Sequence, residues 1–90
     1  MKINNDYLYK ILTKLEDLYP HPLDSQAYSE LTKEVGDDIT LDAHLLYLSE
    51  KSLIISDMEY NIHESNWTVN PYGVRITSYG LDTLSEDKKY

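Results

Sequence analysis

The sequence predicts a small α+β domain, mostly α, with three helices, a two-stranded antiparallel sheet and a short C-terminal helix. Two observations carry that expectation. Apolar residues recur at three- and four-residue steps in three successive stretches that close at Pro20, Gly36 and Glu50, which is the helical period. Two short apolar runs then follow, Leu53-Ile54-Ile55 and Tyr72 to Ile76, with a polar stretch between them. Runs of that length, separated in that way, read as paired strands. Ninety residues make one domain with a single core. The ordered part is expected over about 4–85, with 86–90 a tail.

In the first helix, Asn4 or Asn5 is the cap and Asp6 adds negative charge to the first turn. Leu8, Ile11, Leu12, Leu15, Leu18 and Tyr19 form its apolar stripe, and Pro20 stops it, because the residue before a proline is pushed out of the α region. Asp24 or Ser25 caps a second helix over Gln26 to Val35. Ala27, Leu31 and Val35 point inward there, with Tyr28 at the edge. Gly36 ends it as a residue able to take positive φ. Asp37 and Asp38 make a turn, Ile39 anchors it, and Thr40 caps a third helix whose core stripe is Leu41, Leu45 and Leu48. The strand at Leu53 to Glu59 is expected to pair with Tyr72 to Ile76, Pro71 marking a strand start. Ser56 to Asn70 reads as polar and irregular. Thr77 caps the last helix, TSYGLDTL, which buries Leu81 and Leu84, and SEDKKY follows as a frayed end.

This order of elements is that of a winged helix, and two segments resemble that superfamily in particular. ITLDAHLLYLSEKSLI is similar to the recognition-helix region of bacterial winged helix-turn-helix domains. Leu41, Leu45 and Leu48 match its core positions, and Leu53-Ile54 match the last two residues of a glycine-leucine-isoleucine start to the wing. Ser52 stands where that glycine is usual. VRITSYGLDTL resembles the ending in which the return strand of the wing runs into a Thr-capped helix. In layout and length the chain is also similar to a small winged-helix family frequent in prophages. The resemblance implies a regulator of bacterial or phage origin, and dimerisation through the first helix or the third.

A helix-turn-helix normally sets its second helix in the major groove, where outward side chains meet base edges. Here that outward set is Asp42, Ala43, Leu46, Tyr47 and Glu50, with Thr40 and His44 near the start and flank. It contains no Arg, Lys, Asn or Gln, the residues whose donors read guanine and adenine. The chain carries sixteen acids against eight bases, a formal charge of −8. Phosphates could be met only by Lys33, Lys51 and Arg75, with Thr40 beside them. That is thin against the roughly six to ten phosphate contacts of a tight binder. Autonomous DNA binding is therefore disfavoured, and a dimeric DNA-binding transcriptional regulator is the alternative.

The same face suits a protein. Leu46 and Tyr47 are expected as an exposed apolar pair, extended by Tyr28 and by Trp67 of the wing. Aromatic and apolar groups of that kind mark contact surfaces. The expected contact set is Asp42, His44, Leu46, Tyr47, Glu50 and Trp67, meeting a protein partner or a second copy in a homodimer. An acidic surface of this kind could also mimic nucleic acid toward a basic partner.

Enzymatic chemistry is not expected. His21, His44 and His63 have no metal-ligand spacing, there is no Cys, and the three glycines form no phosphate-binding loop. Asp37, Asp38 and Asp42 lack the spacing of a calcium loop. No cofactor or metal is implied. The absence of Cys fits a reducing compartment, the N-terminus lacks a signal-like apolar region, and the cytoplasm is the expected location.

Overall fold

Local side chains start each helix. Asn4 accepts hydrogen bonds from the backbone N–H groups of Asp6 and Tyr7 and opens α1 (Asn5–Leu18). Asp24 accepts from Ala27 N at 2.7 Å and opens α2 (Ser25–Val35). Asp37 accepts from Thr40 N at 2.7 Å and opens α3 (Asp38–Glu50). The computed structural model describes residues 2–87. Within them the chain continues through β1 (Ile54–Ile55), β2 (Met58–Asn61), β3 (Asn66–Val69) and β4 (Arg75–Ile76) to α4 (Ser78–Asp87). The protein is α+β and mostly helical, with four helices and two two-stranded antiparallel sheets among the described residues.

The start of α3 corrects the sequence expectation. Asp37, not Thr40, is the cap, because a carboxylate both accepts the free N–H and suits the positive end of the helix. The Thr40 N–H it accepts holds the Asp37 carboxyl below the usual carboxylate range. Ile39 then lies in the first helical turn. It is 68% exposed and anchors nothing in the core.

The helical stripes meet as expected. Leu8, Ile11, Leu12 and Leu15 of α1 pack with Ala27, Leu31 and Val35 of α2 and with Leu41, Leu45 and Leu48 of α3. Tyr19 drops out of the first stripe. It is the C-cap residue, with an extended backbone (ψ 135°), and is 42% exposed. On the surface, Lys14 Nζ meets Glu30 Oε1 at 3.0 Å and joins α1 to α2. Leu23, between those helices, is buried and donates its N–H to Val74 O.

β1 and β4 pair antiparallel with Ile54 opposite Ile76 and Ile55 opposite Arg75. The pairing is shorter than the sequence suggests. Pro71 to Gly73 forms a 3-10 turn capped by Asn70 instead of a strand start, since a proline fits the first position of a helical turn. The polar segment from Ser56 to Asn70 is not irregular. It holds a second hairpin, β2 against β3, with Met58 opposite Val69 and Tyr60 opposite Trp67. Met58 and Val69 pack against the core, and the hairpin packs beside α3.

At the junction of α3 and β1, Ser52 has φ +64°. That is the left-handed conformation a glycine adopts without penalty, and it stands where the resembled wing starts carry one. Ser52→Gly is expected to raise stability by about 0.5–1 kcal/mol, read as a higher urea midpoint. A lower midpoint would mean that the serine makes a compensating contact.

Thr77 caps α4 as expected. Its Oγ1 accepts from Gly80 N at 2.9 Å, and its backbone N–H donates to Leu53 O at 3.1 Å. Leu84 is buried and Leu81 partly so. The helix runs on through Asp87, past the expected start of a tail, and residues 88–90 lie outside the described ones. No helix among the described residues is long and apolar enough to cross a membrane.

Candidate functional site

α3 turns about 100° per residue, so its neighbours in sequence face different ways. Ile39, Asp42, Ala43 and Leu46 fall at i, i+3, i+4 and i+7. They form one wall of a groove of about 240 Å³ whose other wall is Ser65, Asn66 and Trp67 from β3 and the turn before it. Trp67 is 40% exposed and meets Tyr60 edge-to-face, with ring centroids 5.6 Å apart. That contact fixes the indole on the two-stranded hairpin. Tyr60 and Ile62, also on the hairpin, are more than half exposed.

Asp42 is positioned from α2. The Tyr28 hydroxyl donates to Asp42 Oδ1 at 2.6 Å, tying the two helices together across the turn. Burial holds the Asp42 carboxyl above the usual carboxylate range, with the nearby charge of Asp38 adding to the effect and the Tyr28 hydrogen bond opposing it. Burial, then the hydrogen bond and charge of Asp42, push the Tyr28 phenol well above its ordinary value. The phenol therefore keeps its proton and is the donor to Asp42 Oδ1.

The expected contact set is brought together only in part. Asp42, Leu46 and Trp67 share the groove. Tyr47 does not pair with Leu46, because one residue along a helix is 100° away. It packs against the core, beside Leu53 and Tyr79, with Lys51 Nζ 5.5 Å from its ring centroid. Glu50 is exposed at the far end of α3, outside the groove lining.

His44 requires a correction. It is not on the helix flank but fully buried. Its Nδ1 donates to Thr40 O at 2.8 Å, its Nε2 accepts from the Asn4 backbone N–H at 2.9 Å, and its ring meets Tyr7 edge-on. These partners require the neutral ring with the proton on Nδ1. His44 presents nothing to a partner molecule. It fastens the start of α1 to α3.

The alternative phosphate set does not converge on one element. Lys33 is in the last turn of α2, Lys51 is the C-cap of α3, and Arg75 is in β4. Thr40 is occupied through its backbone N–H with Asp37 and its carbonyl with His44. Every charged residue from Asp37 to Glu50 and from Ser56 to Val74 is acidic: Asp37, Asp38, Asp42, Glu50, Asp57, Glu59 and Glu64. His21 and His63 are exposed on separate loops. Among the described residues no group of three or more His, Asp or Glu is arranged to hold a metal ion.

Sequence reasoning placed Ala43 on the outward face of the third helix without assigning it to the contact set, and it missed Ile39, Ser65 and Asn66 in the groove. Ile39 was legible, since it shares the helical face of Asp42, Ala43 and Leu46. Ser65 and Asn66 were not, because the hairpin itself is hidden in polar sequence. No family model, curated protein or solved structure matches the chain.

Proposed function

We propose that the chain is a winged-helix domain working as a non-enzymatic protein-binding module, a bacterial or phage regulator or inhibitor acting in the cytoplasm. In this reading α2 and α3 are the helix-turn-helix, β2–β3 is the wing, and the partner is met by α3 and the wing together. The element order supports it, with three helices, a strand, a hairpin, the paired return strand and a helix. One observation carries the function. The face that would enter DNA has a largely apolar groove with one carboxylate, Asp42, in its wall and no base on either wall.

Duplex DNA presents one negative charge per about 1.7 Å of its axis, and binding it depends on cations that displace its counterions. Carboxylates on α3 and the wing oppose that approach. A protein with basic surface meets the same carboxylates favourably and covers Ile39, Trp67, Tyr60 and Ile62, which water now touches. An acidic face of this kind can also occupy a site that another protein keeps for nucleic acid.

A photo-crosslinking amino acid placed in cells at Ile39 or Ile62 is expected to give a discrete protein adduct, and at Tyr9 on α1 none. Mixed-sequence duplex at low salt is expected to bind more weakly than about 100 µM. Micromolar duplex affinity with a steep salt dependence, or adducts to DNA alone, would sink the protein-contact reading.

A further inference from the structure

The groove between α3 and the β2–β3 hairpin has a chemistry narrower than an apolar patch. Ala43 and Leu46 give it aliphatic surface, Trp67 an aromatic face, and Asp42 a carboxylate one helical turn from Leu46. Asp42 Oδ1 is held by Tyr28, and among the described residues Oδ2 has no hydrogen-bond partner. Tyr28 thus fixes the carboxylate while leaving one oxygen to accept from something else. Asp38 stands one helical turn before Asp42 on α3, and neither wall of the groove carries a base.

We propose that this groove takes an arginine side chain of the partner, its guanidinium on Asp42 Oδ2 and against the Trp67 ring, its methylenes along Ala43 and Leu46. The inference rests on the protein-contact reading above and names what that contact recognises. Three physical arguments favour arginine. A carboxylate pressed toward an apolar wall is costly until a cation pairs with it, and the burial that holds the Asp42 carboxyl above its usual range marks that cost. A guanidinium is planar, weakly hydrated and able to lie on an aromatic face while donating to a carboxylate, which an ammonium does less well. A long apolar stem ending in charge matches a groove that is aliphatic on one part and acidic on the next.

The test uses Trp67, the only tryptophan in the chain, as a fluorescent reporter, with backbone amide NMR to locate binding. The probes are three blocked tripeptides, acetyl-Leu-X-Leu-amide, with X arginine, lysine or citrulline. The arginine peptide is expected to change Trp67 emission, to shift the amides of Ile39, Asp42, Leu46 and Trp67, and to bind about tenfold more tightly than the uncharged citrulline peptide. Asp42→Asn keeps an acceptor for Tyr28 and is expected to reduce that preference to about twofold or less. Equal binding of arginine and citrulline peptides, shifts confined to other residues, or no binding at millimolar peptide each overturn the proposal. Lysine binding as tightly as arginine overturns the guanidinium assignment. A protein crosslink without an arginine preference removes this inference and leaves the protein contact standing, whereas an arginine preference without any protein adduct overturns the protein contact.

Discussion

Replacing His44 with alanine is expected to cost about 2–4 kcal/mol and to lower the thermal midpoint by roughly 10–25 °C. The imidazole is fully buried among the core leucines of α3, so truncation removes packing that the neighbouring side chains cannot fully replace. It also removes the acceptor for the Asn4 N–H and the donor to Thr40 O. Asn4 is the residue whose side chain caps α1. One histidine therefore holds the helix start on α3 across forty positions of sequence. His44→Phe separates the two contributions, since it fills the space and keeps an edge toward Tyr7 but accepts no hydrogen bond. About half the loss should return with phenylalanine, while amide exchange at Tyr7 and Leu8 stays faster than in the parent protein. Thermal melts and hydrogen exchange check both parts. An unchanged midpoint for His44→Ala would show that the buried imidazole is not what fastens the two helices.

Gly80→Ala is expected to be nearly as damaging, a loss of about 1–3 kcal/mol. Helix propensity alone argues the other way, because alanine in a helix is favoured over glycine by about 1 kcal/mol. Contact geometry decides the sign. A Cβ at Gly80 would collide with the Leu53 carbonyl oxygen and would lie 2.8 Å from Ile76 Cγ1. The first neighbour is backbone and cannot swing aside. α4 must move off the β1–β4 pair, which disturbs the hydrogen bonds from Thr77 to Leu53 and the burial of Leu84. A urea midpoint equal to or above that of the parent would overturn this account of why α4 carries a glycine in its first turn.

The helical frame was legible because it is written in periodicity. Leu8 to Leu15, Ala27 to Val35 and Leu41 to Leu48 repeat at helical spacing, and their caps precede them. His44 was equally written there and easily overlooked. Leu41, His44, Leu45 and Leu48 stand at i, i+3, i+4 and i+7, so the slot was a core slot, but histidine does not count as an apolar letter. Asp37 and Thr40 competed for one cap, and only the geometry of the first turn separates them. The hairpin was the least visible element. Its strands are four residues long with no in–out alternation in burial, and its turn places Ser65 at φ +54° where a glycine or asparagine would have announced it. Half of the groove was hidden with it.

The strand pairing of Ile54 with Ile76 closes the chain on itself before and after the hairpin, so β2 and β3 hang from a clasp made by other residues. The hairpin between is held to the frame by Met58 and Val69 on the core and by the contact of β3 with α3. Doubling the length of such a closed segment costs only about 0.6 kcal/mol in closure entropy. The clasp thus separates two tolerances to a change of length. The helices, β1–β4 and the inner hairpin residues Met58 and Val69 must keep their fit, while the outer end of the hairpin around Asn61 and Asn66 can lengthen or shorten without disturbing the core.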